Sequence, residues 1–84
     1  MPTILLKDGW RFFFFANENN EPMHIHCKKA EKNIKFWIDE ENFLTKVAYS
    51  FEISAADKKF LKNTILEHFE YIVAKWHEFE RSKQ

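Results

Sequence analysis

Surplus charge, glycine, proline and cysteine are all scarce in this chain of 84 residues, and each scarcity excludes something. Thirteen Lys+Arg offset thirteen Asp+Glu, so the formal net charge is zero. A general nucleic-acid binder neutralises phosphate with a basic surface. The balance argues against that class and leaves room only for a local basic patch. Zero net charge also does little to oppose self-association. One Gly and two Pro leave no low-complexity tail and no flexible linker. Cys27 is the one cysteine, which excludes an intramolecular disulfide. No apolar run approaches the ~18 residues of a membrane span. Residues 1–10 lack the apolar stretch of a signal peptide. The expectation is a reducing, cytoplasmic setting with no membrane partner.

Aromatics are what the chain has in excess: ten Phe, three Trp and two Tyr. Each buries ~150–250 Å², so few residues can build a core. A chain of this length makes one domain, expected over 1–84, and buries only ~60–65% of its unfolded surface. Its stability is then marginal unless it associates.

Asp8-Gly9 separates two apolar runs, Thr3–Leu6 and Trp10–Ala16. Asp-Gly in that setting predicts a hairpin, because Gly accepts positive φ. Residues 17–22 are polar and end in proline, so they read as a loop. A third strand follows over Met23–Lys28, then a second tight turn near Ala30. Lys32–Asp39 alternates, with Ile34, Phe36 and Ile38 on one side and Lys35, Trp37 and Asp39 on the other. Residues 40–53 read as a connection, with Val47–Tyr49 either a short edge strand or extended chain. Ser54 and Asp57 form a capping pair. Beyond them Leu61, Ile65, Phe69, Ile72, Trp76 and Phe79 fall on one helical stripe flanked by Leu66 and Val73. The predicted architecture is α+β: a four- to five-stranded antiparallel meander over 1–39, then one long C-terminal helix over 54–82. Such a helix, about 39 Å from Ala55 to Glu80, overhangs a strand of about 23 Å.

Four consecutive phenylalanines make both faces of the second strand apolar. Phe12 and Phe14 go with Ile25, Cys27, Ile34, Phe36 and Ile38 toward the helix. Arg11, Phe13, Phe15, His24, His26, Lys35 and Trp37 share the other face. That face suits a homodimer interface, where aromatics and Arg are enriched. It also suits a cover formed by residues 40–53, or an aromatic platform for a ligand or single-stranded nucleic acid. His24 and His26, at i and i+2, lie on one side of a strand. They can chelate a metal if a third ligand arrives, act as an acid and base pair, or simply pack and hydrogen-bond. Cys27 points away from them into the core. His68 reads as a core-edge histidine and His77 as a solvated one within reach of a partner subunit. No phosphate loop, nucleophile elbow, zinc knuckle or EF-hand loop occurs, and no cofactor is implied.

Several blocks together resemble a known bacterial family, catalogued as domain of unknown function 4160. They are Met1-Pro2-Thr3-Ile4, Arg11 to Phe15 followed by Asn17-Glu18, Pro22-Met23-His24-Ile25-His26, Lys35-Phe36-Trp37-Ile38-Asp39 and Trp76-His77-Glu78-Phe79. Met23 stands where the family usually has a second proline, and Cys27 where a small aliphatic is usual. The resemblance implies signature positions at Arg11, His24, His26, Trp37, Asp39 and Trp76. It also implies a gene beside that of a second small protein, an arrangement similar to toxin–antitoxin pairs. The resulting expectation is a small non-enzymatic interaction protein. It is a homodimer, or is paired with the neighbouring gene's product, or both. The alternative is a small enzyme or RNA-acting toxin using His24 and His26, with or without a metal.

Overall fold

Two tight turns organise the front of the chain in the computed structural model, which describes residues 3–15 and 21–82. Asp8 and Gly9 have φ of 50° and 85°, as a type I′ turn requires. Across them β1 (Thr3–Lys7) pairs with β2 (Trp10–Phe13). Ala30, at φ 54°, helps turn β3 (His24–Lys29) into β4 (Lys32–Asp39). With β5 (Leu44–Phe51) these strands make a five-stranded antiparallel sheet in the order β1-β2-β3-β4-β5. The expected loop at 17–22 lies outside the described residues over positions 17–20.

β5 bears out the edge-strand reading of Val47–Tyr49, extends it to Leu44–Phe51, and corrects the other readings of residues 40–53. They do not fold over the second face, and most of them are not a connection. The strand pairs with β4 from Asp39↔Leu44 to Asn33↔Phe51. It was hard to see because the register steps from Phe36↔Val47 to Lys35↔Tyr49. Ala48 is therefore the extra residue of a β-bulge, and a bulge breaks the period-2 alternation that announces a strand.

The C-terminal part is two helices, α1 (Ala55–Glu67) and α2 (Phe69–Ser82), and not one long helix. The break is a kink at His68, whose φ −110° and ψ 26° leave the helical region. The hydrogen-bond ladder continues around it, from His68 N–H to the Thr64 carbonyl and from Ile72 N–H to the His68 carbonyl. Thr64 Oγ1 donates to the Phe60 carbonyl at 2.8 Å, a back-bond that bends helices. Neither proline nor glycine lies in the stripe to betray the bend. Bending resolves the overhang that a straight rod would suffer, and it keeps the apolar stripe on the sheet.

The stripe is the core face, as expected. Leu61, Ile65, Phe69, Ile72 and Trp76 pack in one cluster with Phe12, Phe14, Ile25, Cys27, Ile34, Phe36 and Ile38. Leu66, Val73 and Phe79 sit at its margin. Ser54 caps α1: its Oγ accepts from Asp57 N–H at 3.0 Å, and Asp57 Oδ2 accepts from Ser54 N–H. Lys32 Nζ reaches the same carboxylate at 3.1 Å, tying the start of β4 to the start of α1.

Candidate functional site: the aromatic face and the β5 edge

The sheet face turned away from the core carries the predicted cluster. Phe13 opposes His26 across β2 and β3, His24 opposes Trp37 across β3 and β4, and His26 opposes Lys35. Strand alternation therefore brings Phe13, His24, His26, Lys35 and Trp37 together, as read from the sequence. Arg11 is on the same face: its Cζ lies 4.6 Å from the Phe13 ring centre, and its Nε donates to Thr3 Oγ1 at 2.7 Å.

The histidines are enclosed. His24 is 0% exposed and His26 4%. His26 stacks on Phe13 at 5.5 Å and meets Phe15 edge-on at 4.4 Å. Tyr49 closes a further side at 6.4 Å. His24 meets His26 at 5.4 Å, Trp37 at 5.8 Å and Trp76 at 5.0 Å, all edge-on. Its Nδ1 lies 2.8 Å from the Pro22 carbonyl oxygen. A carbonyl only accepts, so Nδ1 is the donor in this bond. Among the described residues no group of three His, Cys, Asp or Glu side chains comes together to hold a metal. Cys27 is fully buried, and that burial pushes its thiol far above the ordinary range. A thiol held protonated is neither nucleophile nor ligand.

Lys35 is the buried cation of this face. Its Nζ pairs with the Glu21 carboxylate and sits 4.6 Å from the Trp37 ring centre. A buried charge needs such partners. Phe15 and Glu21, the described ends of the β2–β3 connection, thus both lie on this face. Alternation placed Lys35 here, but nothing in its neighbourhood along the chain signalled its pairing with Glu21.

Of the remaining predicted residues, Asp39 and His77 separate from the cluster, while Trp76 joins it through His24. Asp39 accepts from Asn42 N–H at 3.1 Å and Asn42 Nδ2 at 2.8 Å, and so fixes the β4–β5 turn. Those bonds, the side-chain one foremost, hold its carboxyl below the ordinary range. His77 is exposed on α2 and its Nε2 lies 3.2 Å from Glu40 in the same turn. Trp76 packs against Phe14 at 5.1 Å as well as against His24.

One feature of the surface escaped sequence reading. Phe43, Leu44, Val47, Tyr49 and Phe51 are exposed by 36% to 55%, and all lie on or beside β5. Tyr49 and Phe51 face the same way as His26 and Lys35, because they pair with Lys35 and Asn33. Phe13, Phe15, His26 and Tyr49, with Lys28 and Asn33, line a depression of about 250 Å³. Among the described residues no helix is long and apolar enough to cross a membrane.

The family model of a domain of unknown function, DUF4160, matches residues 9–77. No curated protein and no solved structure matches the chain.

Proposed function

The chain belongs to the DUF4160 family, and we propose that it acts by binding protein rather than by catalysis, as one component of a toxin–antitoxin-like gene pair. The observation that carries the binding part is the contrast between buried histidines and an exposed apolar edge. A general acid or base must come within hydrogen-bond reach of its substrate. His24 and His26 are instead walled in by rings, and Nδ1 of His24 is committed to a backbone carbonyl. Five of the seven large apolar side chains exposed among the described residues lie on or beside β5, an edge strand of eight residues; Leu6 on β1 and Tyr71 on α2 are the other two. Long apolar edges are uncommon in proteins that remain alone, since their unpaired N–H and C=O groups template further strands. The gene-pair role is supported by the family resemblance alone.

The test is to express the chain with and without the product of its neighbouring gene, following growth, co-purification and mass. Stoichiometric co-purification, with any growth effect retained in His26→Gln, is the expected result. A growth defect abolished by His26→Gln in a variant that still folds would favour the enzymatic alternative.

A further inference from the structure

The sheet has two edges, β1 and β5, and they are built differently. On β1, Ile4 is the extra residue of a bulge, and its carbonyl accepts from the Tyr71 hydroxyl at 3.2 Å. β1 has five residues, and this bond ties it to α2. β5 has eight residues, and Lys46 is its one charged side chain.

We propose that β5 pairs antiparallel with β5 of a second copy of this chain, about a twofold axis between Val47 and Ala48, making one continuous ten-stranded sheet. The inference rests on the protein-binding reading above and names its first partner. The argument is one of register. Opposed residues in an antiparallel pair point to the same face. A twofold axis between two residues of a regular strand would oppose residues of opposite faces, because the side-chain period is two. The Ala48 bulge removes that conflict. The pairing with β4 puts Leu44, Lys46, Tyr49 and Phe51 on the outer face and Thr45, Val47 and Ser50 on the helix face. The proposed axis then sets Leu44 against Phe51, Thr45 against Ser50 and Lys46 against Tyr49, each pair on one face. The chemistry of each pair agrees: apolar with apolar, hydroxyl with hydroxyl, and a cation beside an aromatic ring. Sliding the register by one residue sets Leu44 against Ser50, or Thr45 against Phe51, on opposite faces. The bulge thus selects one register of self-pairing and penalises its neighbours.

A second copy also answers the exposure. Leu44, Tyr49 and Phe51 of the two chains become adjacent on one face, continuous with Phe13 and Phe15. Zero net charge puts no long-range repulsion between copies.

Sedimentation equilibrium of the full chain over micromolar concentrations tests the pairing. The wild type is expected to be a dimer. Tyr49→Lys opposes its new amine to Lys46 of the second copy, twice per dimer, and should weaken association about tenfold. Lys46→Glu added to Tyr49→Lys restores opposite charges and should recover the dimer. Circular dichroism checks that each variant folds; should Tyr49→Lys fail, Phe51→Glu, opposite Leu44, takes its place with the same expected weakening. A monomeric wild type, or a dimer indifferent to these substitutions, overturns the proposal. Neither result touches the broader binding reading, which stands or falls on co-purification and growth.

Discussion

The imidazole of His24 meets the indole of Trp76 edge-on, with ring centres 5.0 Å apart. Fifty-two positions separate them in sequence, so the contact joins the first residue of β3 to the last turns of α2. Two of the blocks that carry the family resemblance, Pro22 to His26 and Trp76 to Phe79, therefore share one packing site. A solvent-facing histidine would tolerate substitution at little cost. This one is a fully buried ring with a hydrogen bond and three aromatic neighbours. Trp76→Ala should cost ~3–5 kcal/mol as a large buried truncation, and His24→Ala ~1–3 kcal/mol through its lost bond and packing. The double variant should cost less than the two added together, because they share a contact. Urea melts of the four proteins measure this; strict additivity would mean the rings do not interact.

Ile65 and Ile72 lie on either side of the His68 kink, both fully buried. Ile65→Ala and Ile72→Ala should each destabilise by ~2–5 kcal/mol. A loss confined to one of them would show that only one helix belongs to the cooperative core.

Acid should weaken the α1 cap. Lys32, foremost, and then the Ser54 backbone and hydroxyl hold the Asp57 carboxyl below its ordinary range. A carboxyl depressed in the folded state binds its proton more readily when unfolded. Its contribution is therefore complete above the unfolded value of ~3.9 and is lost as pH falls below it. Asp39, held down by Asn42, acts in the same direction. Urea midpoints should fall as pH drops below ~4, through the range in which these two carboxyls gain protons. Asp57→Asn should start lower and fall less steeply.

Ala30 sits at φ 54° between β3 and β4. An L-residue there pays roughly 1–2 kcal/mol relative to its right-handed conformation, while glycine's greater unfolded freedom costs roughly 0.5–1 kcal/mol. Ala30→Gly should thus stabilise by roughly 0.5–1 kcal/mol. Thermal melts decide it, and a destabilised variant would place some other demand on that methyl group.

The order of elements, the hairpin, the helix cap and the division of the sheet into two faces were legible along the chain. Each is dictated by neighbours: Asp-Gly by the backbone freedom of Gly9, the cap by Ser54 and Asp57, the faces by alternation through Phe12 to Phe15 and Lys32 to Asp39. Three features were not fully legible. The fifth strand was legible only as a short edge segment at Val47–Tyr49; its full extent was hidden because Ala48 breaks the period, and a bulge exists only relative to the strand beside it. The helix break was hidden because Thr64 and His68 are unexceptional helix residues, and the bend follows from the sheet the helix must cover. Alternation put Phe15 beside His24 and His26, but their full enclosure was hidden because it also depends on Tyr49 and Trp76, which only folding brings to them. Local periodicity, by itself, determined which residues share a face. Tertiary structure decided how fully the histidine face is enclosed and how far the edge strand β5 extends, because both depend on partners distant in sequence.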